Sequence, residues 1–229
     1  MKNEQVKKMM DEAVNGEYIW EGIKPSPVRS EYRNKMEYTF SNKSWLTPEQ
    51  LASAETFGNR DAAGFHIPGA FDKVLDINRC HLQEDFSNRV RLAVKALARE
   101  KGYTFYDLRN HTGLLRTMMV RTASTGQKMV LMVFGEENRE AITDVMEMLR
   151  RDFSEITSLL CCVNLKLNDT FADQTIEVWS GEPFIEEAME DLRFRVGPKS
   201  FYQTNSRQAY RLYSVVRDFA ALRGDELVY

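Results

Sequence analysis

The chain has 229 residues, 43% of them apolar, and its 31 Lys and Arg stand against 34 Asp and Glu for a net charge of −3. That is ample for one large domain with its own core, and it gives no compositional support to nucleic-acid binding, although a local basic patch can still serve phosphates. No run of about 18 apolar residues is present to span a membrane, the polar start MKNEQVKKMMDEAV is not a signal peptide, and three cysteines with Cys161 and Cys162 adjacent make no disulfide framework; a cytoplasmic protein is expected.

Residues 1–14 read as a short helix that Asn15 and Gly16 end with residue types suited to a left-handed cap. So abrupt a start leads us to expect a trimmed protein. Pro25 and Pro27 mark an extended linker over residues 22–29. Tyr32 to Phe40 alternates as a strand, with Arg33, Lys35 and Glu37 on one side and Met36, Tyr38 and Phe40 on the other. A charged strand face is ordinarily the solvated side of an antiparallel sheet. Residues 41–63 are loop-like around a helix start at Pro48, and Gly64–Ile67 with Lys73–Ile77 form a hairpin about Pro68 and Gly69. Cys80 and His81 follow at once. A lone cysteine there is ordinarily a small buried hydrophobe, and His81 a surface residue.

Glu84 to Lys101 is an amphipathic helix with Phe86, Val90, Ala93, Val94 and Leu97 inward and Gly102 as its stop. His111 has no Ser, Cys or Asp at a spacing that identifies a triad, so it is read as structural. Leu114–Thr122 and Lys128–Phe134 are strands around Ser124, Thr125 and Gly126, and Arg139–Arg151 is a helix. Arg116 and Arg121 are positive groups on an otherwise apolar hairpin, which a solvated strand face explains as well as a functional one. Residues 155–167 and Gln174–Trp179 read as two more strands. Pro183–Ala188 then leads into a strand over Leu192–Val196, with Arg193 and Arg195 on one face and Leu192, Phe194 and Val196 on the other. This order predicts an α+β fold, a mainly antiparallel sheet with flanking helices.

That last strand delivers the chain to Gly197–Asn205, where a Gly-Pro turn precedes a helix from Ser206 to about Leu222. Ala209, Leu212, Tyr213, Val216 and Ala220 predict one buried helix face, and Asn205 or Ser206 caps it, aiming free backbone N–H groups at a ligand. On spacing alone, a capped helix packed on a sheet is the commoner reading. Gly224 and Asp225 close the helix, and Glu226–Tyr229 looks like the start of a strand, as a doubly wound cofactor domain would open.

The string FRVGPKSFYQTNSRQAYRLY, Phe194 to Tyr213, resembles the segment just before the cofactor domain in the RNA uracil-5-methyltransferase family, whose members use S-adenosylmethionine. YRNKMEYTF from Tyr32 to Phe40, Cys80 in Asp-Ile-Asn-Arg-Cys, and His111–Arg116 agree in the same order. The likeness runs over about residues 17–229, is specific in the two motifs and loose between them, and is closer to members acting on ribosomal RNA.

The resemblance implies three parts: residues 1–30, an N-terminal helix and linker; 31–196, a central α+β RNA-facing domain; and 197–229, a linker helix with the first strand of a missing Rossmann-like methyltransferase domain. It puts Arg33 and Lys35 on RNA phosphates, Phe201 under the flipped base and Gln203 on S-adenosylmethionine. The implied activity forms 5-methyluridine in ribosomal RNA, with RNA rather than DNA as the partner. In the family a cysteine thiolate adds to C6 of uracil, C5 takes the methyl group, and a base removes the C5 proton. The matching cysteine and base lie beyond Tyr229, so no catalytic residue is expected in this chain and the chain alone is expected to be inactive. Cys80 matches the fourth ligand of an iron–sulfur centre that some members carry. Its three partners are absent, so a cluster is expected in the longer protein if anywhere. A non-catalytic RNA-binding or interaction module using the same sheet is the alternative.

Overall fold

Met118–Val120 and Met129–Phe134 are apolar at consecutive positions, and strands with no polar alternation have to be covered on both faces. The computed structural model, which describes residues 1–53 and 58–228, meets that demand with three layers. Its elements in chain order are α1 (Lys2–Ala13), β1 (Lys35–Ser41), α2 (Pro48–Ala52), β2 (Ala62–Ile67), β3 (Ala70–Asp76), α3 (Asp85–Lys101), β4 (Leu115–Thr122), β5 (Lys128–Phe134), α4 (Arg139–Asp152), β6 (Ser158–Val163), β7 (Glu177–Gly181), β8 (Ile185–Met189), β9 (Leu192–Val196) and α5 (Ser206–Ala220). Strands β3-β2-β1-β4-β5-β6-β7 make one sheet, and β8 pairs with β9 in a separate ribbon. Only β5 and β6 run parallel, joined through α4; the other neighbours are antiparallel, as the α+β reading expects.

One face of the sheet packs Met36, Tyr38, Phe40, Met118 and Val130 against α3 and α4. The opposite face packs Met119, Leu131 and Leu160 against Ile185 of β8, Val196 of β9 and the ring of Tyr202. Local chemistry sets the helix ends. Gly102 stops α3 in the left-handed region at φ 72°, and the Asn138 side chain accepts the Ala141 N–H at 3.1 Å to start α4. Gly113 sits at φ 118°, where a Cβ would come within 2.5 Å of the Phe105 carbonyl oxygen, so the loop after α3 closes onto β4 only without a side chain there.

Arg91, on the inward side of α3, is fully buried. Its Nη1 donates to the carbonyls of Ala63 (2.8 Å) and Ile77 (2.6 Å), its Nη2 donates to Asn78 (3.2 Å), and its guanidinium lies 5.2 Å from the Tyr38 ring centroid. The arginine therefore ties the segment after β3 to the helix, a role that apolar periodicity does not report.

The structure corrects several expectations. Arg116 and Arg121 are not on a solvated strand face: both are buried, under the loops after β6 and β9 respectively. Residues 155–167 and 174–179 are strand only over the shorter β6 and β7, and β8 forms where only a lead-in was expected. Of the expected apolar face on β9, only Val196 is buried, because the two-stranded ribbon meets the large sheet at that end alone. The buried face expected for α5 reduces to Ala209; Leu212, Tyr213 and Val216 are exposed because nothing among the described residues packs over them. Residues 226–228 form no strand, and Tyr229 lies outside the described residues, as do residues 54–57 of the 41–63 loop. No helix among the described residues is long and apolar enough to cross a membrane.

Replacing Arg91 by Ala takes the donor from the buried Ala63 carbonyl and from the carbonyls of Ile77 and Asn78, and is expected to lower stability by about 3 kcal/mol. Urea unfolding should show this as a fall in midpoint; a midpoint within error of the parent would contradict the role given to the guanidinium.

Candidate functional site

The chain leaves β9 at Val196, which is anchored in the core, and turns at once. The Gly197 N–H donates to Ser200 Oγ at 3.0 Å and the Ser200 N–H returns to the Gly197 carbonyl at 3.2 Å, closing a tight loop. Two residues from the sheet then pin that loop. Arg121 of β4 donates Nη2–H to the Ser200 carbonyl at 2.5 Å and, more distantly, to Pro198 at 3.5 Å. Asn34, just before β1, donates its backbone N–H to the Thr204 carbonyl (2.8 Å) and its Nδ2–H to the Gln203 carbonyl (2.9 Å) and Ser206 Oγ (2.7 Å). Asn34 is itself held, since its carbonyl accepts the Thr122 N–H at 2.9 Å and so extends the β1–β4 ladder. The backbone of residues 198–206 thus inherits its position from the middle of the sheet.

Burial lowers the pKa of Arg121, with the Glu37 carboxylate acting in the opposite sense; a guanidinium stays charged through such a shift. Tyr202 turns its ring inward, 6.1 Å from that of Phe194, and burial, then the charge of Glu187, raises its hydroxyl pKa. Asn205 caps α5 by accepting the Gln208 N–H at 3.1 Å, as expected for the cap position.

Against this frame Phe201 projects outward and is 86% exposed, and Gln203 is exposed as well. The two residues assigned to base and cofactor therefore share one loop whose backbone is fixed while its side chains are free. Arg33 lines an adjoining groove of about 170 Å³ with Asn34, Ser124, Glu187, Ser206 and Arg207, and its buried Nε has no hydrogen-bond partner. Lys35 points elsewhere: its Nζ is 2.7 Å from Glu37 Oε1, so its charge is already paired.

The remaining candidates lie away from this loop. Cys80 is buried, with its N–H donating to Asn88 Oδ1 (2.7 Å) and its carbonyl accepting from Asn88 Nδ2 (3.2 Å). Among the described residues no group of three or more His, Cys, Asp or Glu could hold a metal ion. The donor set of this chain therefore does not fit a four-thiolate cluster. His111 is exposed at φ 56°, with its N–H on the Asp107 carbonyl. Cys161 and Cys162 are buried in β6, and burial pushes their thiols up to about 12 and about 11. Neither is a thiolate near neutrality. Asn34 and Glu187 organise the site without being singled out by the sequence, and so does Arg121, for which the sequence leaves a functional and a solvated-face reading equal; of the three only Asn34 sits inside a motif already quoted.

No protein-family model matches the chain. Over 201 residues, 86% of its length, it is 50% identical to a Bacteroides thetaiotaomicron protein named an uncharacterized RNA methyltransferase. A Porphyromonas gingivalis protein of the same name is 50% identical over 203 residues, and one from Chlorobaculum tepidum is 32% identical over 211. The chain is thus related along most of its length to RNA methyltransferases. It spans less than half the length of these relatives, 44%, 44% and 43%. Among solved structures, a Pyrococcus abyssi tRNA (uracil-54, C5)-methyltransferase in complex with S-adenosyl-L-homocysteine matches with a TM-score of 0.62 at 24% identity, covering 85% of this chain and 42% of that one. That likeness shows a shared fold.

Removing the Asn34 side chain by Asn34→Ala is expected to cost about 1–2 kcal/mol and to speed amide exchange across residues 203–209, with β4 and β5 unaffected. Unchanged exchange in that segment would show that the loop holds its place without the clamp. Ellman's reagent is expected to titrate none of the three cysteines in the folded protein on a timescale of minutes and all three in urea; rapid labelling of Cys161 or Cys162 in the native state would contradict their burial.

Proposed function

We propose that this chain is the RNA-facing part of an S-adenosylmethionine-dependent RNA (uracil-C5) methyltransferase, with residues 1–30 as an N-terminal helix and linker, 31–196 as the central domain and 197–229 as the lead into a cofactor domain. The observation that carries this reading is the Gly197–Asn205 loop, a solvent-exposed phenyl ring on a backbone fixed by Arg121 and Asn34 in a chain 50% identical to named RNA methyltransferases. An exposed aromatic face gains by covering, and a base lifted from its stack has the matching flat surface. Arg33, which lines the adjoining groove, then takes a neighbouring phosphate with its guanidinium group.

The exposed amide of Gln203 fits a polar cofactor, because it can donate and accept at once. S-adenosylmethionine, when bound, supplies the electrophilic methyl group. What this chain contributes is orientation: the ring of Phe201 and the amide of Gln203 leave the same short stretch of backbone, so base and cofactor are held in a fixed relation. Attack on C6 requires an accessible thiolate, and with Cys80, Cys161 and Cys162 all buried we assign that step to a cysteine outside this chain. The uncovered stripe of Leu212, Tyr213, Val216 and Phe219 on α5 suits packing against the cofactor domain. The motif likeness favours ribosomal RNA as substrate, and the three free cysteines suit a reducing, cytoplasmic location.

Transfer of labelled methyl groups from S-adenosylmethionine to uridine-containing ribosomal and transfer RNA fragments tests the reading. The chain alone is expected to transfer none. Joined to the C-terminal half of the Bacteroides relative, it is expected to form 5-methyluridine, and Phe201→Ala in that chimera to lower kcat/KM about tenfold or more. Methylation by the chain alone, or of a base other than uracil by the chimera, would overturn the proposal.

A further inference from the structure

The groove beside Arg33 contains a second cation. Arg207, the second residue of α5, lines the same hollow, and among the described residues neither guanidinium has a carboxylate within 4 Å. The two acids in the groove are engaged. Glu187, almost fully buried, accepts from the Ser124 N–H (2.9 Å), from Ser124 Oγ and from the Ala188 N–H (3.0 Å), and Glu31 lies 3.7 Å from Arg79. Glu187, which Ser206 Oγ also meets at 3.4 Å, keeps its charge under these neutral donors, and Arg33 and Arg207 are the cations of the groove that make no ion pair among the described residues.

The start of α5 adds donors to the same place. Asn205 takes the Gln208 N–H with its side chain and the Ala209 N–H with its carbonyl (2.9 Å), leaving the N–H groups of Ser206 and Arg207 without a partner among the described residues. These are the first two amides of a fifteen-residue helix, whose aligned peptide dipoles favour an anion at this end. Two forked guanidinium groups and two convergent N–H groups form a donor set suited to phosphate, whose tetrahedral oxygens accept from several directions.

We propose that Arg33, Arg207 and the first two amides of α5 form one cradle for a backbone phosphate of the RNA strand whose base meets Phe201. This rests on the RNA reading above and assigns Arg207, outside that reading, a binding role. Phe201 and the cradle lie at the two ends of the segment that Arg121 and Asn34 hold, so a strand resting on both is gripped by its base and by its backbone.

The test is fluorescence anisotropy of the chain with a labelled single-stranded uridine-rich RNA of about twelve nucleotides, between about 50 and 200 mM KCl. Arg207→Gln and Arg33→Gln are each expected to weaken binding about three- to tenfold and to flatten the log–log salt dependence by about 0.7, the value for one lost single-strand phosphate contact. Arg150→Gln, on α4, should change neither. Circular dichroism confirms that each variant is folded. RNA binding by the parent chain with affinity and salt slope unaltered in Arg207→Gln overturns the cradle and leaves the RNA reading intact. Failure of the parent chain to bind any RNA counts against the RNA reading instead. In that event inorganic phosphate is titrated against the amide resonances of Ser206 and Arg207: shifts lost in Arg207→Gln support an anion site for a free phosphate, and unmoved resonances overturn it. Equal competition by polyglutamate would reassign the site to an acidic peptide and overturn the phosphate proposal.

Discussion

In this fold three buried guanidinium groups each gather several backbone carbonyls from neighbouring segments. Arg91 reaches from α3 to the carbonyls of Ala63, Ile77 and Asn78; Arg116 reaches from β4 to Asn164, Lys166 and Asn168; Arg121 reaches from the same strand to Pro198 and Ser200. Each stranded carbonyl would cost about 1–3 kcal/mol, and one guanidinium with five donors answers several at once. Desolvating a cation is unfavourable by itself. Here the carbonyl oxygens offset it, helped by the Tyr106 ring 4.4 Å from Arg116 and by the Asp169 carboxylate. The loops are consequently tied to the sheet almost as firmly as strands are.

That constraint explains how the loop after β9 can expose a phenyl ring and an amide without giving up their relative placement. The Gly197–Asn205 segment makes no strand ladder of its own, yet both ends are fixed, by Val196 in the core and by the Asn205 cap of α5, and Arg121 and Asn34 fix its middle. The entropy of ordering is spent during folding and not on binding, which favours affinity for whatever the side chains meet. The neighbouring groove follows the same logic. Its buried acid, Glu187, is bound to the Ser124 turn, and neither of its two arginines has a carboxylate within 4 Å among the described residues.

Periodicity made much of the scaffold readable. β4, β5, α3 and α4 lie where their apolar spacing put them, β1 begins at Lys35 and not at Tyr32, and of the two caps open to α5, Asn205 and Ser206, Asn205 is the one used. The losses have physical reasons. Ile185–Met189 carries two glutamates and shows no clean alternation, so it did not look like a strand, although Ile185 anchors the ribbon and Glu187 organises the groove. Arg121 shares a strand face with Met119, and alternation reports that two residues share a face without reporting what covers it. For α5 the same limit acts in reverse: an amphipathic pattern states that a face wants a partner, and here no partner is present among the described residues. Asn34 was in view within its motif, but its work is to join segments about 170 residues apart, which no local pattern encodes.

The central position of β1 in the sheet has a kinetic side. Its partner β4 is distant in sequence, with Thr39 opposite Thr117, so pairing closes a loop of about eighty residues, an entropic cost met before any contact rewards it. By contrast β4, β5, α4 and β6 follow one another closely and can assemble from near neighbours. Arg121 belongs to that early, local unit, whereas Asn34 arrives only with β1. The two clamps on the loop thus come from a sequence-local unit and from the strand whose pairing with that unit spans the greatest sequence separation in the sheet.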